Sequence, residues 1–353
     1  MKVLVAMSGG VDSSVAAKLL RDAGNECVGC TMKLFDNEDA GEPREHACCS
    51  LDDVEDARRV AYGLGMQHFV FNFSADFRSR IIDKFIRSYQ QGLTPNPCID
   101  CNRYMKFDKL FDRADILGCD CVATGHYARI ERRDGLFLLK KALDPAKDQS
   151  YVLYSLTQRR LARTLFPLGE LTKAETRRIA EENGFVNANK PDSQDICFVP
   201  DGDYARVIEL HTGRRTEPGP FVDLEGRVLG THKGLIRYTI GQHKGLGISS
   251  EEPYYVCELR PRDNTVVLGR SADLFRREAR AADFNWISGT PPEAPLRCRA
   301  KIRYRQPEQP ATVTVEPDGS VSIVFDEPQR AITPGQSAVL YDGDVVLGGG
   351  TLV

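Results

Sequence analysis

Met7-Ser8-Gly9-Gly10-Val11-Asp12-Ser13-Ser14 stands between a short apolar run, Val3 to Met7, and the amphipathic stretch Asp12–Ala23. The apolar run reads as a first buried strand. The stretch after the turn reads as a helix that Gly24 ends at its C′ position. Glycines in such a turn let backbone N–H groups come close to a phosphate chain. The helix N-terminus adds unpaired donors and the positive end of its dipole. Ser8 and Ser13 bring hydroxyl donors to the same anion. No lysine stands where GxxxxGK[ST] requires one, so this is not a Walker loop.

Outward from this turn, residues 1–205 keep alternating strand and helix patterns. Cys27–Leu34 reads as a strand, and Ser50-x-x-Asp53 as a capping box opening a helix to about Leu64. His68–Phe73 reads as a strand and Phe77–Gln91 as an amphipathic helix. Lys106–Leu117 follows as a helix and Cys121–Thr124 as a strand. Arg133-Asp134-Gly135-Leu136 has hairpin-turn chemistry, and Thr172-x-x-Glu175 caps a helix that Gly184 ends. Such alternation implies an α/β fold with a doubly wound, mostly parallel sheet and its ligand at the C-terminal strand ends. After about residue 205 the texture changes. Glu217-Pro218-Gly219-Pro220 and the glycine-dense run 239–247 indicate a small β-rich central domain over 206–274. Short strands between turns such as Pro317-Asp318-Gly319 and Tyr341-Asp342-Gly343 indicate a β-barrel over 275–353.

Composition agrees with this division. The 353 residues are 41% hydrophobic and 27% charged, with a formal net charge of -3. That excludes a wholly disordered or collagen-like chain and allows a sizeable core in two or three domains. No uncharged apolar run approaches the ~18 residues of a membrane span, and Val3 to Met7 is too short for a signal-peptide core. The expectation is a cytoplasmic protein without a membrane partner. Eleven cysteines are many for such a chain: Cys27, Cys30, Cys48, Cys49, Cys98, Cys101, Cys119, Cys121, Cys197, Cys257 and Cys298. Most are expected to be small buried hydrophobes, with Cys48-Cys49 in a structural or bystander role. Cys98-Ile99-Asp100-Cys101 differs, because CxxC spacing suits a metal, a cluster or redox chemistry.

SGGxDS at a strand-to-helix turn resembles the PP-loop of the ATP pyrophosphatases, which cleave ATP between the α and β phosphates and activate a carbonyl oxygen as an adenylate. Within them, Thr94-Pro95-Asn96-Pro97-Cys98-Ile99-Asp100-Cys101-Asn102 with Met105-Lys106-Phe107 resembles the signature of the tRNA-specific 2-thiouridylases. Thr124-Gly125-His126-Tyr127-Ala128, Lys147-Asp148-Gln149-Ser150-Tyr151 and Asp192-Ser193-Gln194-Asp195-Ile196-Cys197-Phe198 match the same family. So do Tyr238-Thr239-Ile240-Gly241-Gln242 and Lys301-Ile302-Arg303-Tyr304-Arg305-Gln306. The resemblance covers nearly the whole chain.

It implies a PP-loop domain, a central domain and a tRNA-binding barrel, and ATP-dependent 2-thiolation of the wobble uridine of certain tRNAs. Cys197 would hold a persulfide, and Cys101 would free its sulfur, ending in a Cys101–Cys197 disulfide. ATP with Mg²⁺ would lie on Ala6, Met7, Ser8, Gly9, Gly10, Val11, Asp12 and Ser13, with Met32 and Gly125 beside the nucleotide. Asn96, Pro97, Cys98, His126, Lys147, Asp148, Gln149, Arg303, Tyr304 and Gln336 would meet tRNA. A persulfide donor, either a cysteine desulfurase or a relay protein, would be the second partner. Some relatives carry Asp at the position of Cys98, and two readings of that residue stay open. It is a spectator thiol, or it joins Cys101 and Cys197 in ligating an iron–sulfur cluster. His243, where Arg is expected in relatives, takes no assigned role.

The residues themselves give RNA binding separate support. Arg297, Arg299, Lys301, Arg303 and Arg305 alternate with Cys298, Ala300, Ile302 and Tyr304. A strand would set the five cations on one face, as a phosphate backbone requires. The competing reading is a solvated face with acidic partners across the strands. Two other functions fit parts of the pattern: another PP-loop ligase, of amide or lysidine synthetase type, and a non-enzymatic tRNA-binding persulfide or iron–sulfur carrier. The first needs no sulfur, and the second needs no ATP.

Overall fold

A computed structural model describes residues 1–35, 51–191, 196–199 and 201–353. Cys48, Cys49, the cap at Ser50 and the motif residues 192–195 lie outside the described residues. Seven strands come from the first 165 residues: β1 (Lys2–Ala6), β2 (Glu26–Lys33), β3 (Gln67–Asn72), β4 (Cys121–Ala123), β5 (Arg129–Arg133), β6 (Leu136–Lys140) and β7 (Thr164–Leu165). Five of them form a sheet in the order β3-β2-β1-β4-β7, parallel at every junction.

β1 is central and covered on both sides. Val3 and Val5 turn to the face packed by Ala17 and Leu20 of helix α1 (Val11–Asp22) and Ala57, Val60 and Ala61 of helix α2 (Leu51–Gly63). Leu4 turns the other way, toward Phe77, Ile81, Phe85, Leu110 and Phe111. Period-two alternation thus places α1 and α2 on one face and the helices of 74–116 on the other. The strand order reverses between β2 and β4 on either side of β1, which opens a crevice at their carboxyl ends.

Two helices depart from the expected bounds. The one read from Phe77 begins at Ser74 and passes through a wide π-helical turn, Arg78–Ile82, before the α-helix Asp83–Gln90. The one read from Lys106 begins at Pro97. Asn96 caps it, its Oδ1 accepting from Cys98 N at 3.2 Å, and Pro97 occupies the first turn. The π-helical stretch Cys101–Lys109 carries it on to Leu110–Ile116. The CxxC pair therefore sits on a helix start, not in a loop.

The other local readings hold. Gly24 and Gly184 are left-handed at +77° and +65°. Thr172 and Glu175 cap each other in both directions. Asp134 and Gly135, both at positive φ, turn β5 into β6.

The central unit is a four-stranded sheet of β8 (Gly219–Val222), β9 (Val228–His232), β10 (Tyr255–Arg260) and β11 (Thr265–Gly269), ordered β10-β11-β8-β9. The barrel consists of β12 (Phe275–Trp286), β13 (Leu296–Lys301), β14 (Gln309–Val315), β15 (Val321–Arg330), β16 (Ser337–Asp342) and β17 (Val345–Leu352). It closes through β12 against β17. The β5–β6 hairpin leaves the parallel sheet and extends the barrel sheet instead, with Lys140 pairing Val345. Among the described residues, no helix is long and apolar enough to cross a membrane.

Candidate active site

The phosphate loop is set by close packing. Gly9 has φ +80°, and a Cβ there would lie 2.3 Å from Asp53 O. Gly125, just past β4, stands so near α1 that its Cβ would lie 2.8 Å from Ser13 N. Ser13 Oγ accepts from Ser8 N at 3.2 Å and donates to Gly10 O at 3.0 Å. Ser8 Oγ is 3.5 Å from Ser13 Oγ. Two small-residue contacts and two hydroxyls at a helix N-terminus fit a polyphosphate.

Asp12 is already engaged. Lys173 Nζ donates to both its oxygens at 2.7 and 2.9 Å, and the Tyr127 hydroxyl donates to Oδ1 at 2.8 Å. This arrangement does not fit a Mg²⁺ ion on Asp12, because the cation would have to displace an ammonium. Tyr127 is itself held by Gln149, whose Oε1 accepts from Tyr127 N at 3.0 Å. The sequence reading missed Lys173. A lysine at the first position of a capped helix opposes the helix dipole, and that conflict was the available signal. Asn187 was missed as well; its amide donates to Gly9 O and Ser14 Oγ, both at 2.9 Å.

Cys98 is exposed, while Cys101 and Cys197 are half-buried. Cys101, Ile196 and Cys197 each pack against the large core cluster of the parallel-sheet unit. Phe198 anchors the Cys197 side of it, edge-on to Phe77 at 5.8 Å and to Phe85 at 5.2 Å. The Cys101–Cys197 disulfide implied by the resemblance is not present, since neither cysteine is disulfide-bonded. A bond that thiol exchange makes and reduces in each turnover is not a resting bond. Among the described residues, no three His, Cys, Asp or Glu side chains gather to hold a metal. Cys98, Cys101 and Cys197 therefore do not fit a cluster in this arrangement. Between the two thiols of the CxxC, Asp100 pairs with Lys84 at 2.8 Å. Burial nevertheless pushes its carboxyl above the usual range, outweighing Lys84.

The residues expected to meet tRNA divide into two groups. Cys98, Asp148 and Tyr304 come together: the Tyr304 hydroxyl donates to Asp148 O at 3.4 Å, and burial, then Asp148 and Cys98, push its phenol up. Lys301 Nζ lies 5.7 Å from the Tyr151 ring and from the Tyr304 ring. Gln336 joins Asn96 and Pro97 through Thr94, donating to Thr94 O at 2.8 Å. Lys147 and Gln149 flank Asp148, whose carboxylate caps the Ser150 turn.

His126 and Arg303 depart from expectation. His126 is buried, 6% exposed, with Nδ1 2.7 Å from Thr124 Oγ1 and Nε2 3.4 Å from Lys106 Nζ. The ammonium can only donate, so Nε2 accepts and Nδ1 carries the proton. Arg303 follows the end of β13 at Lys301, where the chain turns, and the period-two run stops there. Its guanidinium points inward. On the strand itself, Arg297 pairs with Asp326 and Arg299 with Glu308, so those two cations have acidic partners across the strands.

Burial, then Lys106, holds the His126 pKa well below the ordinary imidazole value. Unfolded, the ring takes up a proton below about pH 6.5, and folded it does not. The stability it contributes is complete above that pH and is lost as pH falls. His126→Gln is expected to lose less stability than wild type between pH 7.5 and 5, measured by urea midpoints. An identical pH dependence in both proteins rejects this assignment.

Comparison with known proteins covers the chain in three pieces. A family profile described as tRNA methyl transferase HUP domain matches residues 1–201. One described as tRNA methyl transferase PRC-barrel domain matches 207–270, and one described as Aminomethyltransferase beta-barrel domain matches 276–352. A Clostridioides difficile (strain 630) protein named tRNA-specific 2-thiouridylase MnmA is 52% identical over 353 residues, covering 99% of this chain and 98% of its own. Its namesake in Lachnoclostridium phytofermentans is 49% identical over 100% of this chain and 99% of its own. Another from Symbiobacterium thermophilum is 50% identical over 99% of this chain and 92% of its own.

Proposed function

The chain belongs to the tRNA-specific 2-thiouridylase family, and from that premise we propose that it thiolates C2 of a wobble uridine in tRNA at the expense of ATP. A uridine carbonyl is a poor electrophile and oxide a poor leaving group. Adenylating the C2 oxygen, with release of pyrophosphate, corrects both. The Ser8–Ser13 turn holds the phosphates, and Gly125 lets β4 approach them. Met32, on the neighbouring strand β2, meets the nucleotide. A persulfide on Cys197, loaded by a donor protein, attacks C2 and AMP leaves. Cys101 then attacks the Cys197 sulfur, leaving the outer sulfur on C2. An external thiol reductant separates the joined cysteines.

RNA approaches from the side carrying Asn96–Cys98, Lys147–Gln149, Tyr304 and Gln336, while His126 supports that surface from behind. This reading is supported by the close-packed turn of Ser8–Ser13 against Gly125, together with two half-buried thiols, Cys101 and Cys197, in the same parallel-sheet unit. A ligase of the amide type has no use for two such thiols, and a sulfur carrier has none for the phosphate loop.

The test is incubation with tRNA, ATP and a low-molecular-weight persulfide, followed by mass analysis of the wobble nucleoside. We expect a gain of sulfur for oxygen, with AMP and pyrophosphate made only when tRNA is present. AMP formation with an unmodified or amine-bearing nucleoside rejects the reading.

A further inference from the structure

Arg303 Nη2 donates to three acceptors in two units: Ile240 O of the central unit at 3.1 Å, Ala331 O of the barrel at 2.9 Å and Thr333 Oγ1 at 2.5 Å. Thr333 Oγ1 passes its own proton to Ala331 O at 2.8 Å. Ala331 is a non-glycine residue at φ +55°, an uncommon backbone state that its surroundings must hold. Gly241, next to Ile240, lies so close that a Cβ would be 2.9 Å from Ala331 Cβ.

The turn that Ala331 opens then reaches the catalytic unit. Thr94 N donates to Pro334 O at 2.9 Å, and Gln336 Nε2 donates to Thr94 O at 2.8 Å. Gly335, at φ +90°, stands where any Cβ would be 2.8 Å from Thr94 N. Two residues on, Asn96 caps the helix of Cys98 and Cys101. An unbroken set of hydrogen bonds thus runs from Arg303 through the 331–336 turn to Thr94, at the entrance to the thiol helix.

We infer that Arg303 is a positioning residue of the sulfur-transfer site, whose side chain fixes the 331–336 turn and through it the start of the Cys98–Cys101 helix, and is not itself a phosphate contact. This rests on the proposed thiolation for its meaning, but its test does not depend on turnover. The alkylation rate of Cys101 by iodoacetamide is read by peptide mass mapping in wild type, Arg303→Ala and the milder Thr333→Val. Both variants are expected to change that rate several-fold, with added guanidinium ion moving Arg303→Ala back toward wild type. Thiolation at saturating tRNA is expected to fall about tenfold in Arg303→Ala. The log–log salt slope of tRNA binding is expected to stay unchanged. A phosphate contact would instead lower that slope by roughly 0.7–0.9. Such a drop, or an unchanged Cys101 rate in both variants, overturns the inference. Altered Cys101 rates in a chain that never thiolates tRNA leave the positioning role standing and reject the proposed function.

Discussion

Cys197→Ser is expected to lower tRNA thiolation about a thousandfold or more, while pyrophosphate is still released once per tRNA and AMP stays on the unattacked C2 oxygen. A hydroxyl cannot carry a persulfide sulfur, and the phosphate turn of Ser8–Ser13 does not include Cys197. Serine is nearly isosteric with cysteine. Phe198 still anchors the segment against Phe77 and Phe85, so loss of folding does not explain the loss of activity. Cys101→Ser should stop turnover at a different stage, with Cys197 joined through a disulfide to the sulfur on C2, detectable as protein-bound tRNA that a thiol reductant releases. Full thiolation by Cys197→Ser would remove that residue from the chemistry altogether.

Gly125→Ala is expected to abolish ATP binding at millimolar concentration, a loss of a hundredfold or more. The added Cβ would sit 2.8 Å from Ser13 N and 2.9 Å from Asp12 C, both backbone atoms of the first turn of α1. Backbone cannot rotate away as a side-chain tip can. Either β4 or the start of α1 must therefore move, and the phosphate donors move with it. tRNA affinity, which the proposed reading assigns to other residues, should stay within a few-fold. Calorimetry with ATP and filter binding with tRNA separate the two. Equal ATP affinity in Gly125→Ala and wild type would mean that nucleotide binds elsewhere.

The parallel sheet and the phosphate turn were legible because they rest on local signals: an apolar run, a glycine pair, a helix start and a left-handed glycine after it. The hairpin at Asp134-Gly135 and the cap at Thr172 were legible for the same reason. What escaped was decided by partners far along the chain. The helix of Cys98 begins at Pro97 although its apolar period starts later, and only the Asn96–Pro97 pair announces it. The alternation from Arg297 is a true strand pattern as far as Lys301. Sequence alone does not show that the chain then turns and sends Arg303 into the seam with Ile240. Nor could it show that Lys173 reaches back to Asp12. The two thiols stood out by motif resemblance, and their half-buried state only by the fold.

The β5–β6 arm has a consequence for synthesis on the ribosome. Lys141 Nζ, just past the arm, donates to Gly343 O, 202 residues later in the chain, and Lys140 pairs Val345. At about 5–20 residues per second, the arm emerges some ten to forty seconds before its partner strand exists. During that wait the nascent catalytic unit shows an unpaired strand edge, which invites pairing with other chains. The charges on β5, Arg129, Glu131, Arg132 and Arg133, lie on the hairpin's other strand, beside β6, whose edge awaits β17. Docking of the arm thus becomes a late step of maturation, reached only after translation has passed the barrel.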